Sequence, residues 1–523
     1  MAGKTLGHFY DYCCFHFSDK TAIVFSDQKY TFSELKEKGT RLSNSLLELG
    51  LKKGDRLAQL MPNSPEVIFS DYACCKLGLE RIPLAAYLNA EDMIFMLKET
   101  QARAIIYDSI FKNHVRQFKK ELPHLDHIIC RFDDNSSIPQ GEYNLQTLIS
   151  DGSLKEVKSK VHENDIATIS YTGGTTGVPK GVVHSHLTRA NMVLMELLDF
   201  GIGRDEIFLA AAPLTHGAGS LLLPIFLRGG CCVAVQGFNA TRILETIESN
   251  RVTSTFLVPT MIYALLDHPD LKKYDTSSLR NVIYGAATIA AERLNEAIQT
   301  FGAVFTQVYG QVEAPMAITA LSREEHVING DQKSTERLAS CGRPTLLTEL
   351  KLLDEDGKEV PRGVAGEIVV KSPNIMLGYL NRPDLTEEVL KDGWLHTGDI
   401  ARQDEQGYLY IVDRKKDMIV SGGFNIYPME IESVLYEHPA VAMASVIGIP
   451  DAKWGESVKA LVTIRPNQSI TEEDLIKFCK DRKGSIFAPK SIDFVDSIPL
   501  THLGKPNKKA LRDQYWKNQH RKV

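Results

Sequence analysis

Short apolar runs alternate with helical stretches along most of this 523-residue chain, and that rhythm limits the fold more than any other feature. Arg56-Leu57-Ala58-Gln59-Leu60, Ala104-Ile105-Ile106-Tyr107, residues 207–212, 231–235 and 253–258, and Asn281-Val282-Ile283-Tyr284 read as strands. Between them Ser33 is the expected N-cap of a helix closed by Gly50, Ser64-Pro65-Glu66 opens a second with proline at N1, and residues 187–200 form a third. Strands alternating with helices predict an α/β fold with largely parallel sheets. Such sheets place ligands at strand ends, and here strands run into small residues, as in Gly285-Ala286-Ala287.

The rhythm changes after about Ser340. Residues 349–354, 366–371 and 407–412 read as turn-punctuated strands of a small β-barrel-like subdomain. Beyond the charge run Asp413-Arg414-Lys415-Lys416-Asp417, strands at 418–420, 441–447 and 458–464 mix with helices at 428–437 and 471–483, a compact α+β domain. The expected division is a large domain of residues 1–413 and a small one of 414–523.

A net charge of −6 leaves no basic footprint for nucleic acid. Lys508, Lys509, Arg512, Lys517, Arg521 and Lys522 read as a solvated basic tail. Nine cysteines, an odd number without a CxxC, read as reduced thiols used as small core residues in a cytoplasmic protein. Pro224, Arg228 and two glycines interrupt the longest apolar stretch, so no transmembrane segment is expected.

The stretch from Tyr171 to Gly181, YTGGTTGVPKG, joins a strand-like run at 166–170 to another at 181–184. Gly173, Gly174 and Gly177 let backbone N–H groups approach an anion, Thr172, Thr175 and Thr176 add hydroxyl donors, and Lys180 adds a charge. That composition suits phosphate as well as an ordinary flexible turn. The pattern GxxxxGK[ST] is absent, which excludes a P-loop.

Four further segments follow: YGQVE (residues 309–313), HTGD (396–399), IVDRKKDMIVSGG (411–423) and THLGKPNK (501–508). Together and in this order, the five segments resemble the adenylate-forming superfamily of acyl-CoA synthetases, adenylation domains and beetle luciferases. Residues 421–432, SGGFNIYPMEIE, are most similar to the acyl-CoA synthetase and fatty-acid–CoA ligase branch. The resemblance implies activation of a carboxylic acid by ATP as an acyl-adenylate, then transfer of the acyl group to CoA with release of AMP. It implies that Thr172, Thr175, Thr176 and Lys180 hold phosphates, that Glu313 with Thr176 binds Mg²⁺, and that Tyr309 and Gly310 face adenine opposite Gly285, Ala286 and Ala287. Asp399 would take the ribose hydroxyls beside Arg414. Lys505 would reach the reacting carboxylate and α-phosphate, and Lys416 would be the hinge of a lid whose Gly422 and Gly423 line the CoA path. His216, in PLTHGAG, matches the family's gate beside the acyl pocket, and His184 and His186 read as structural.

This chain departs from the family at Val312, where threonine is usual, and at Gly173, where serine is frequent. No aspartate lies in residues 214–220, where amino-acid-activating relatives carry one, so a fatty or aromatic acid without an α-amine is expected. A carrier-protein phosphopantetheine is the alternative acceptor, and a non-catalytic ATP or acyl-adenylate binder the alternative of another class. A homodimer is compatible with this reading.

Overall fold

The computed structural model describes residues 5–86, 88–132, 138–158, 160–172, 179–328, 330–422, 424–451, 453–499 and 506–516. Of the expected site residues, Gly173, Gly174, Thr175, Thr176, Gly177, Gly423 and Lys505 lie outside these. The chain divides into two compact units, Met1–Glu349 with Val370–Leu395, and Leu350–Val369 with His396–Val523. The break expected between 413 and 414 falls inside the second unit.

Two sheets carry the first unit. One is ordered Arg343–Pro344, Thr319–Leu321, Phe305–Tyr309, Asn281–Gly285, Ser254–Leu257, Ile207–Ala210, Cys231–Ala234, Thr21–Phe25, Gln28–Thr31. Its middle is parallel and its edges antiparallel. The other is ordered Gly378–Tyr379, Lys180–Ser185, Ile166–Thr172, Glu80–Pro83, Arg56–Leu60, Ala104–Asp108, His127–Arg131, Tyr143–Asn144. It is parallel except at its first two pairings. Parallel strands covered on both faces need unbroken apolar runs, and Ala104–Asp108 and Asn281–Gly285 are buried along their whole length.

Helix starts follow their caps, with one correction. The helix expected from Ser33 spans Phe32–Glu48, and its N-cap is Thr31. Thr31 Oγ1 accepts from the Glu34 N–H at 3.1 Å while the Glu34 carboxylate accepts from the Thr31 N–H at 2.7 Å. That reciprocal pair satisfies two orphan donors, which a serine two residues later cannot do. Helix Pro65–Leu77 begins on proline and ends at Gly78, whose φ of 69° is a left-handed cap.

Glu349–Leu353, Gly366–Lys371, Trp394–Gln403 and Leu409–Arg414, most of whose residues fall in the second unit, belong to one small sheet. The long antiparallel strands Val441–Asp451 and Gly455–Ile464 belong to another, with Ile419–Ser421, Phe424–Ile426 and Ser491–Phe494. Helices Pro428–Tyr436 and Glu472–Lys483 pack on it through Ile431, Leu435 and Leu475. All nine cysteines are free thiols, and burial pushes Cys130 up to about 12 and Cys479 to about 11, which keeps them inert. No helix of the described residues is long and apolar enough to cross a membrane.

Candidate active site

The strands on either side of the glycine-rich stretch pair antiparallel. Thr172 stands opposite Lys180 and Tyr171 opposite Gly181. The next strand, Gly378–Tyr379, pairs with Val182 and Val183. It puts the Tyr379 ring 5.2 Å from Lys180 Nζ, and the Tyr379 hydroxyl donates to Glu313 Oε1 at 2.7 Å. A cation, an aromatic face and a carboxylate thus form one chain of contacts. Burial raises the Tyr379 pKa, and the neighbouring Glu313 charge and the hydrogen bond raise it further, so the phenol remains a donor. Nothing in the spacing of residues pointed to Tyr379.

Glu313 is held through its backbone as well. His184, on strand Lys180–Ser185, lies with Nε2 2.7 Å from the Val312 carbonyl and Nδ1 3.2 Å from Thr188 Oγ1. Burial pushes its pKa down to about 3. A neutral ring between those partners donates from Nε2 and accepts at Nδ1. The Met376 N–H donates to the Glu313 carbonyl at 2.8 Å. Val312 therefore serves through its carbonyl, which any side chain at that position would provide.

Two parallel strand ends lie beside each other in the first sheet. Asn281–Gly285 and Phe305–Tyr309 pair with Gly285 opposite Val308, which brings the Gly285-Ala286-Ala287 turn and Tyr309 to neighbouring strand ends. A Cβ on Gly285 would sit 2.4 Å from the Val308 carbonyl oxygen, so only glycine fits there. Ala286 turns the chain with a φ of 67°.

His216 follows strand Ile207–Ala210 in the same sheet, its Nδ1 2.9 Å from Thr215 Oγ1. Solvent reaches the ring, yet the surrounding protein and the charge of Arg81 push its pKa down to about 4. The segment before it is pinned by buried Asn63, whose Nδ2 donates to the carbonyls of Ala210 at 3.0 Å and Ala212 at 2.9 Å. Its Oδ1 accepts from the Leu214 N–H at 2.7 Å.

In the second unit Asp399 and Arg414 face each other across antiparallel strands, Arg414 Nε 3.1 Å from Asp399 Oδ1, and Asp399 is buried. The stretch of strand Trp394–Gln403 that presents Asp399 is held by Glu367. Its carboxylate accepts from the Gly398 N–H at 3.2 Å, lies 3.0 Å from Lys415 Nζ and 3.4 Å from His396 Nδ1. Thr397 Oγ1 donates to the Ile368 carbonyl at 2.7 Å, and Gly398 supplies a φ of 71°. Burial raises the Glu367 pKa, but the hydrogen bond and charge of Lys415 and the charge of His396 more than offset this, leaving it below the ordinary value. Glu367→Gln is expected to lower stability at pH 7 by about 1.5–3 kcal/mol, the range for hydrogen bonds to charged groups. A depressed carboxylate stabilises the fold above its unfolded pKa, near 4.5, and loses that contribution as pH falls through its folded value. The gap between wild type and variant in urea unfolding should therefore narrow as pH falls below the unfolded value and close below the folded one.

Gly422 is exposed, with a φ of 59°, and its N–H donates to the Trp454 carbonyl at 2.9 Å. Lys416 is exposed in the short helix Lys415–Asp417. The solvated-tail reading is corrected at two positions. Lys508 Nζ lies 3.0 Å from Glu432, and Arg512 lies 2.6 Å from Asp417, in both cases with side chains mostly buried. Those cations close the unit's own charge balance, and their partners are too far away in sequence for a composition argument to see.

Residues 12–380 match the AMP-binding enzyme family, and residues 430–505 match the AMP-binding enzyme C-terminal domain. The chain belongs to this family, on its acyl-CoA ligase branch. The medium/long-chain-fatty-acid–CoA ligase FadD8 of Mycobacterium tuberculosis is 39% identical over 97% of this chain and 89% of its own length. Among solved structures, the amide bond synthetase McbA of Marinactinospora thermotolerans aligns with a TM-score of 0.88 at 30% identity, covering 97% of this chain and 99% of that one. The o-succinylbenzoate CoA synthetase of Bacillus subtilis, in complex with its acyl-adenylate intermediate, aligns with a TM-score of 0.84 at 30% identity over 97% and 98%. As an AMP-binding enzyme, the chain has the Lys180–Tyr379–Glu313 contacts and the Gly285 turn in one compact unit and the Asp399–Arg414 pair in the other.

Proposed function

We propose that this enzyme activates a fatty or aromatic carboxylic acid lacking an α-amine as its acyl-adenylate and passes the acyl group to CoA. The observation that carries the reading is the Lys180–Tyr379–Glu313 chain of contacts beside the strands flanking the glycine–threonine stretch. In the reaction the acid's carboxylate oxygen attacks the α-phosphorus of ATP and pyrophosphate leaves. The CoA thiol, losing its proton, then attacks the acyl carbon, and AMP leaves. The first step gathers negative charge, so positioned cations and donors do most of the work. Thr172, Thr175, Thr176, Lys180 and the glycines Gly173, Gly174 and Gly177 are assigned to the outer phosphates. Tyr309 with Gly310, and Gly285, Ala286 and Ala287, are assigned to adenine. Asp399 with Arg414 takes the ribose, and neutral His216 lines the acyl entrance.

The chemistry of Glu313 suits magnesium. One carboxylate oxygen is engaged by Tyr379, and an ion that draws most of its ligands from water and phosphate needs only one or two protein carboxylates. Glu313, with Thr176, would hold it, and the ion would neutralise charge on the departing pyrophosphate. Tyr379→Phe removes the donor that orients Glu313 and keeps the ring beneath Lys180. It is expected to raise KM for ATP about tenfold, equivalent to about 1.4 kcal/mol, read by acid-dependent pyrophosphate exchange over a range of magnesium concentrations.

Residues 414–523 are proposed to move as a lid about Lys416 between the two half-reactions, bringing Gly422 and Gly423 to the pantetheine arm. Lys416→Pro should leave pyrophosphate exchange within threefold of wild type and slow thioester formation at least a hundredfold. Equal losses in both would dispose of the hinge. The decisive experiment for the function is a panel of acids scored for AMP release with and without CoA. Release stimulated by CoA supports the reading, whereas release needing a phosphopantetheinyl carrier or an amine replaces the acceptor. A cytoplasmic location and a homodimer complete the proposal.

A further inference from the structure

Away from these groups the first unit holds a chamber of about 30 Å³, lined by apolar and polar side chains together. Asp71, Arg81, Thr168, His186 and Arg189 line it, with the end of the short helix Gly217–Ser220. Its unmet hydrogen bonds are mostly donors. His186 accepts from the Leu6 N–H at Nδ1, 3.4 Å away, so the neutral ring carries its proton on Nε2, which has no partner. The Nε–H groups of Arg81 and Arg189 and the hydroxyl of Thr168 are also unpartnered, and His186 and Thr168 are 1% and 4% exposed.

The two arginines are unequally paired. Asp71 lies 3.1 Å from Arg81 and also accepts from the Tyr10 hydroxyl. Arg189 has no carboxylate within ion-pair distance among the described residues, and its one hydrogen bond goes to the Met192 sulfur at 3.3 Å. Glu196, on the same helix, is fully buried without a hydrogen bond; burial pushes its pKa well up, and the charge of Arg189 draws it back. Cys74 and Cys75 are neutral thiols, raised by burial. A buried guanidinium without a carboxylate is costly unless an anion reaches it.

We propose that this chamber binds a small monoanionic group, a carboxylate or a halide, on the Nε–H groups of Arg81 and Arg189 and the Nε2–H of His186. The volume suits it, since one water-sized group needs roughly 10–15 Å³ and a carboxylate presents two oxygens. Two sources have this chemistry. A free ion can enter, or the anion is the far carboxylate of a dicarboxylic substrate. The second source rests on the proposed acyl role of His216, whose following helix ends at the chamber.

Two arms decide it. Crystals of the wild-type enzyme soaked in bromide are expected to show an anomalous peak between Arg81, Arg189 and His186. Chloride and formate should raise the unfolding temperature above that in gluconate at equal ionic strength, and Arg189→Met should abolish the difference. In the kinetic arm, AMP release is compared for octanoate and octanedioate, and for benzoate and 1,4-benzenedicarboxylate. A diacid preferred at least tenfold by the wild type, with the preference lost in Arg189→Met, assigns the anion to the substrate. An ion-specific effect without a diacid preference assigns it to a free ion. No bromide peak, no ion-specific shift and no diacid preference overturn the site. If no acid releases AMP, the proposed function fails, while the bromide arm still decides the chamber.

Discussion

Lys505→Ala is expected to slow acid-dependent pyrophosphate exchange about a thousandfold and to leave transfer from preformed acyl-adenylate to CoA within tenfold of wild type. Lys505 lies outside the described residues, so the expectation stands on chemistry and on the family's motif. A lysine about 4 Å from a phosphoryl oxygen is worth roughly 4 kcal/mol at an effective dielectric near 20, and each 1.4 kcal/mol or so is tenfold in rate. Lys508, three residues on, is the internal control. Its ammonium is buried against Glu432 at 3.0 Å, so Lys508→Ala should destabilise the second unit without singling out one half-reaction. An exchange rate within tenfold of wild type for Lys505→Ala would defeat the assignment.

The second large effect belongs to Gly285. In Gly285→Ala the new methyl carbon would stand 2.4 Å from the Val308 carbonyl oxygen of the neighbouring strand, and no side chain can rotate away to make room. The two strand ends must separate, and they carry the turn and the tyrosine assigned to adenine. Overpacking of this kind costs about 1–3 kcal/mol. The upper end applies because the obstacle is backbone, so kcat/KM for ATP should fall about a hundredfold. Most of the loss should appear in KM, checked by calorimetric binding of a non-hydrolysable ATP analogue. Ala286→Gly is the counterpart. Its backbone is left-handed at 67°, a conformation glycine adopts without penalty, so that variant should bind ATP at least as well as wild type.

The α/β architecture was legible because apolar strand runs and helix caps are local signals. Asn281–Gly285 ends on its glycine, and helix Pro65–Leu77 begins on its proline. The strands flanking the glycine–threonine stretch were legible for the same reason. What escaped depends on partners distant in sequence. Tyr379 and Glu313 are 66 residues apart, and Asn63 reaches residues 147 to 151 positions away. Glu367 gives no local sign that it secures the strand at Gly398, next to Asp399. The cap at Thr31 was missed though its signal was local, because the reciprocal glutamate at Glu34 outweighs the serine at 33. Lys508 and Arg512 were misplaced by composition, since a run of cations looks the same whether or not carboxylates fold against it.

The three hydrogen bonds of the Asn63 carboxamide go only to main-chain atoms of residues 210, 212 and 214. Main-chain groups persist whatever side chains are attached to them. A designer seeking a new acid preference can therefore vary the residues leading to His216 while this anchor keeps their path. Specificity becomes a property that can be exchanged piecemeal, without rebuilding the scaffold that carries it.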